Sequence, residues 1–303
     1  MKFIPQFSKS MLLLGMLFLF SPSTTSAQQS RVLRTHSIST PTLQQTQVPT
    51  TGTLNVVAVM VQFQPDTNRL TSGTGIFGND GMEGLPYLSN QTDTRIDPLP
   101  HNQQYFESHL EFAKNYFEKS SDDQLTLNYT VLPGVFTLPK KMEEYSPIGE
   151  EFTLDKLGDL LNDTWTAVED AGGFNATGLD PENTAFVIFH AGVGRDIELT
   201  GTSLDITPYD IPSIYLRKQD LQNIFENPSF SGFPINGGAF RVTNSLIIPR
   251  TESRRAEDIS GNEVVFPLSI NGLLCASIGS HLGLPDLFNT DTGEPAIGRF
   301  GLM

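Results

Sequence analysis

Residues 270–303, INGLLCASIGSHLGLPDLFNTDTGEPAIGRFGLM, hold the densest set of side chains able to do chemistry. Cys275 and His281 offer a thiol and an imidazole, Ser277 and Ser280 hydroxyls, and Asp286 a carboxylate just after Leu-Gly-Leu-Pro. Further on, Asn289, Asp291 and Glu294 set oxygens along a loop. Calcium takes ligands of that kind; an Asx-rich turn uses the same residues to satisfy its own backbone. His190 closes an apolar run and is followed by Ala-Gly-Val-Gly. A histidine there either lines a cleft or packs as a structural group. Gly192 and Gly194 lack the third glycine of a dinucleotide fingerprint and read as a plain turn. No Gly-x-Ser-x-Gly elbow and no Ser/His/Asp spacing stands out.

The LGLPD stretch with GRFGLM resembles the immune inhibitor A family of secreted bacterial metallopeptidases, which belong to the metzincins. The resemblance extends over roughly residues 53–303, through the stretches 54–63, 101–119 with the strand after it, and 184–190. That family carries His-Glu-x-x-His-x-x-Gly-x-x-Asp on and after an active-site helix, with a Met-turn downstream. Two histidines four apart lie about 40° apart in helical projection, so both can reach one zinc ion. The glutamate between them acts as general base on the metal-bound water.

Aligned on LGLPD, the resemblance puts Gly283 at the turning glycine, Asp286 at the third, residual zinc-ligand position and Met303 at the Met-turn. Ala276 then stands at the first histidine, Ser277 at the glutamate and Ser280 at the second histidine. Alanine has no donor atom, serine is a poor zinc ligand, and a serine hydroxyl is no general base near neutral pH. His281 falls one place late, about 100° round the helix, and Cys275 is also off register. The resemblance therefore implies a zincin-like scaffold with a degenerate motif and no competent catalytic residue. No cofactor is expected, although the Asn289–Glu294 loop can take calcium. Metzincins continue beyond the Met-turn, so the resemblance also implies a C-terminal part missing after Met303.

These residues need elements to hold them. Leu54 to Phe63 (LNVVAVMVQF) is an apolar, β-branched run, the mark of a buried strand. Residues 65–101 are polar and glycine-rich, which predicts a long surface loop. Gln103 to Lys119 shows a helical stripe of Tyr105, Phe106, Phe112, Ala113, Tyr116 and Phe117. Leu125, Leu127, Tyr129 and Val131 alternate with polar residues as in a half-buried strand. Phe152 to Asp170 returns to helix, and 184–190, 213–216 and 241–248 read as strands, the last stopped by Pro249. Ile270 to Leu282 is the last helix, closed by Gly283. The alternation predicts an α/β domain with a twisted sheet over the active-site helix.

The N-terminus reads as an export signal over residues 1–27: Lys2 and Lys9, the apolar run Met11 to Phe20, then small residues ending at Ala27. Residues 28–52 are rich in Gln, Thr, Ser and Pro and read as a flexible leader, with one metallopeptidase-like domain over 53–303. Of 303 residues, 34 are acidic and 19 are Lys or Arg, a net charge of −15. That balance argues against nucleic acid and against an anionic membrane surface, and implies no membrane partner beyond export. A single cysteine excludes an internal disulfide framework and a Cys-rich zinc knuckle. The expectation is a secreted, catalytically inactive metallopeptidase-like protein that binds a protein or peptide in the former substrate cleft. A working zinc endopeptidase with an aberrant motif, and a non-enzymatic surface protein, stand as the alternatives.

Overall fold

The computed structural model of the protein describes residues 48–78, 85–89, 96–147, 153–196 and 207–284. The expected export signal, most of the leader, and Asp286, Asn289, Asp291, Glu294 and Met303 lie outside the described residues.

In chain order the elements are β1 (Gly52–Gln62), α1 (Pro86–Ser89), α2 (Gln103–Ser120), β2 (Leu125–Val131), β3 (Phe136–Thr137), α3 (Met142–Tyr145), α4 (Asp155–Asp170), β4 (Thr184–Val193), β5 (Ile214–Leu216), α5 (Lys218–Ile224), β6 (Phe233–Ile235), β7 (Phe240–Val242), β8 (Ser245–Thr251), β9 (Arg254–Glu257), β10 (Glu263–Phe266) and α6 (Asn271–His281). The class is mixed α/β, as expected. The central sheet runs β2-β1-β4-β8-β5, with β3 beside the end of β1. Its pairings are parallel except that β5 runs antiparallel to β8.

Both sheet faces are covered, which is why β1, β4 and β8 read as unbroken apolar runs and not as alternating ones. On one face Val56, Ala58, Met60, Val187, Phe189 and Ile248 meet α2 and α6. On the other, Val57, Val59, Phe186, Ile188 and Ile247 meet α3, α4 and the β6–β7 hairpin. The chain steps from β1 outward to β2 through α2, then back across the sheet to β4 through α4. Right-handed crossovers in opposite directions put their helices on opposite faces, as found here. Helix α2 starts where the Asn102 side chain accepts the N–H of Tyr105 at 3.1 Å. Its buried stripe is Tyr105, Phe106, Leu110, Ala113 and Phe117; Phe112, expected in that stripe, faces water.

Other expectations are corrected as well. The 241–248 run is not one strand but parts of β7 and β8, which belong to different sheets. Pro249 does not stop its strand: β8 runs on to Thr251. The proline lies beyond the last residue paired with β5, opposite His190, where the register against β4 shifts. A missing N–H is tolerated at such an irregularity. The described parts of 65–101 lie only partly at the surface: residues such as Leu70 and Ile96 are exposed, but Ser72, Phe77, Leu85, Asp97 and His101 are buried. No helix among the described residues is long and apolar enough to cross a membrane.

Candidate functional site

Helix α6 carries the positions singled out by the motif. It packs Ile270, Leu274, Cys275, Ile278 and Leu282 into the core shared with α2 and the sheet, and His109 of α2 reaches Asn271 at 2.6 Å. Gly283 ends it at φ +81, in the left-handed region that glycine enters without strain. There Gly283 N–H donates to the Ser280 carbonyl and Leu284 N–H to that of Gly279, both at 3.0 Å, a C-terminal cap at the expected residue.

Ala276 and Ser280 stand one turn apart with Leu273 on the least buried stripe of α6. Ser280 spends its hydroxyl on the Ala276 carbonyl at 3.2 Å. Ser277 is turned inward, fully buried, and its hydroxyl has no partner among the described residues. This donor set does not fit zinc: one methyl, one hydroxyl bonded to its own helix and one hydroxyl facing the core. His281 points away from that stripe. It is buried with Nδ1 3.1 Å from the Tyr215 hydroxyl, and burial pushes its pKa down to about 4. Burial raises the Cys275 thiol to about 12, so it supplies no thiolate. His190 lies inside β4, which runs on through Gly192 to Val193, so the turn expected at Gly192 is strand instead. Buried there, His190 accepts the Gly192 N–H at 3.1 Å through Nδ1 and is pushed down to about 3 by burial. Among the described residues no three His, Cys, Asp or Glu side chains converge to hold a metal ion.

No protein-family model matches the chain, and no curated protein matches it either.

Polar groups gather instead at the carboxyl ends of the central strands, where open α/β sheets commonly place their sites. Two clusters lie there, and spacing along the chain revealed neither. In the first, Asp97 accepts from the hydroxyls of Tyr105, at 2.7 Å, and Thr251, and pairs with His101 Nε2 at 3.1 Å. Arg250 donates to His101 Nδ1 at 3.2 Å and to the Ile76 carbonyl at 3.1 Å, with its guanidinium 5.0 Å above the Phe77 ring. Burial alone would raise Asp97, but bonds from His101, Thr251 and Tyr105 hold its carboxyl below the ordinary range. Burial depresses His101, with Asp97 offsetting part of the effect. The second cluster joins Asp196, Asp210 and Glu252 to Arg254. The available signal is the text Arg-Thr-Glu-Ser-Arg at the end of the apolar strand β8.

Proposed function

We propose that this chain is a secreted, catalytically inactive relative of the immune inhibitor A metallopeptidases, acting by binding a protein or peptide. One observation carries the reading. The least buried stripe of α6, where the motif calls for two imidazoles, carries Ala276, itself buried, and the half-buried Ser280. Two further features support it: a helix packed against a mostly parallel sheet, and a glycine cap at Gly283 where the motif turns. With no ligand pair and no general base, the helix side of such a cleft can hold a chain but cannot activate water against it. The apolar and hydroxyl character of that stripe suits an uncharged peptide backbone more than an ion.

Metal analysis tests this directly. The purified chain is expected to hold well below one zinc per molecule and to show no chelator-sensitive proteolysis. The double variant Ala276→His, Ser280→His rebuilds the i, i+4 pair on the least buried stripe and is expected to gain zinc affinity by calorimetry. Adding Ser277→Glu would bury a carboxylate in the core, so that change belongs in a separate variant. One tightly held zinc in the unaltered chain would sink the proposal. A folded double variant that binds zinc no better than the parent would show that 276 and 280 are not the motif positions.

A further inference from the structure

Asp196 and Glu252 stand just past the carboxyl ends of β4 and β8, the two strands at the heart of the sheet. Both are buried, Glu252 completely. Asp196 accepts the Ser213 N–H through both oxygens, at 2.8 and 3.0 Å. Neither oxygen of Glu252 has a donor among the described residues, and the group it meets is the carboxyl of Asp196. The approach depends on Gly194, where a Cβ would lie 1.3 Å from Glu252 Oε1.

The groups facing this pair can be named. From the 207–213 segment comes Asp210, which accepts both the N–H and the hydroxyl of Ser72 at 2.7 Å. Arg254 of β9 is the cation that faces all three carboxyls. Tyr87 of α1 donates its hydroxyl to the Ser253 carbonyl and faces Asp210. Arg195 donates to the Pro208 carbonyl at 2.8 Å. Among the described residues, three carboxylates face the Arg254 guanidinium, which would leave an excess of negative charge in a buried site. Two carboxylates in contact there cannot both stay ionised. A proton held between them removes one charge and supplies the donor that Glu252 lacks.

We propose that Asp196 and Glu252 form a proton-operated clamp, which ties the end of β4 and the 207–213 segment to the end of β8 while they share a proton and releases them when it is lost. Burial, with the charge of Asp196 added to it, pushes Glu252 well above the ordinary carboxylate range. Burial raises Asp196 too, against the bonds it makes, and lifts Asp210 to about 6. The sign follows from linkage. A carboxyl whose folded pKa is raised keeps a proton that the unfolded chain has already released. Its contribution is present below the unfolded value, about 4, and is lost as pH rises to the folded one. Asp210 is half titrated at about pH 6 and nearly fully titrated about one unit above that. Above that, the proton on the pair sets the slope, and the unfolding equilibrium constant rises about tenfold per pH unit.

The experiment is urea unfolding of the full chain at several pH values from about 7 to about 8.5, with hydrogen exchange of residues 194–196 and 207–213 at both ends of that range, corrected for intrinsic rates. Wild type is expected to lose stability steadily and to lose protection in those two segments. Glu252→Gln and Asp196→Asn each carry an amide donor in place of the proton, so either is expected to flatten the slope and keep the protection. If one variant fails to fold, the other and the wild-type slope still decide. A flat wild type, or variants as steep as wild type, overturns the clamp. So does millimolar calcium restoring protection at the alkaline end in wild type alone, because the pair would then be a cation site.

Discussion

Arg250 is the largest charged side chain wholly withdrawn from water among the described residues. Burial brings its pKa down to about 10, so it stays cationic at neutral pH. Its bonds to His101 and to the Ile76 carbonyl, and its seat over Phe77, fix two separate stretches of chain around the end of β8. Arg250→Met is expected to cost about 3 to 5 kcal/mol in denaturant unfolding, because it leaves Asp97 buried without its cation and His101 without a donor. Arg250→Lys is expected to recover little, since a single ammonium cannot reach both partners as the planar fork does. Nothing in the sequence marks Arg250 as buried. It lies in a charged run that reads as a solvated surface, and its partners are some 150 to 175 positions earlier. The α6 positions were easier, because Ala276, Ser280 and Gly283 follow from one helical period and one glycine.

Helix α4 shows how packing overrides local preference. Gly158 sits in its first turns, and replacing a mid-helix glycine by alanine ordinarily stabilises a helix by about 1 kcal/mol. Here a Cβ would lie 2.6 Å from Ile224 Cγ2 and 3.3 Å from the Phe225 ring, at the contact with α5. Gly158→Ala is therefore expected to destabilise by about 1 to 3 kcal/mol, and Ile224→Ala in the same chain to return part of that loss, a coupling that a double-mutant cycle measures. Elements with a clear period (α2, α4, β2) or a long apolar run (β1, β4, α6) were legible and lie within a few residues of their predicted bounds. Most of the short pieces were not, although β5 (Ile214–Leu216) falls where 213–216 reads as a strand. The pairs β6–β7 and β9–β10, and the helices α1, α3 and α5, span two turns or fewer and take their form from what they pack against. The 241–248 run merged two strands, β7 and β8, that belong to different sheets, because apolar text alone does not show where a chain leaves one layer for another.

Across the whole molecule, neutral imidazoles set the acid limit of stability. His190 and His281 are held at about 3 and about 4 by burial, and His101 and His109 are depressed in the same direction for the same reason. The unfolded chain takes up these protons near pH 6.5, while the folded one resists. Their contribution is complete above about pH 6.5 and is lost as pH falls toward the folded values. Asp196 and Asp210 run against this over part of the same range. The difference between wild type and His281→Gln isolates one imidazole: the variant is expected to lose less stability from about pH 6.5 to about pH 4.5 in urea midpoints, and an identical fall in both would refute the assignment. The sheet itself has a consequence for biosynthesis. Asn55 lies against Thr184 and Val187 against Leu246, so the central pairings join distant parts of the chain, a topology that folds slowly. β5 precedes β8 in the chain yet lies outside it, bonded to β8. Until β8 has been made, β5 has no place in the sheet and the far side of β4 (TAFVIFHAGV) is an open edge. Such an edge is a template for pairing with other chains. A nascent chain carries that exposed edge from the synthesis of β4 until Thr251 has left the ribosome.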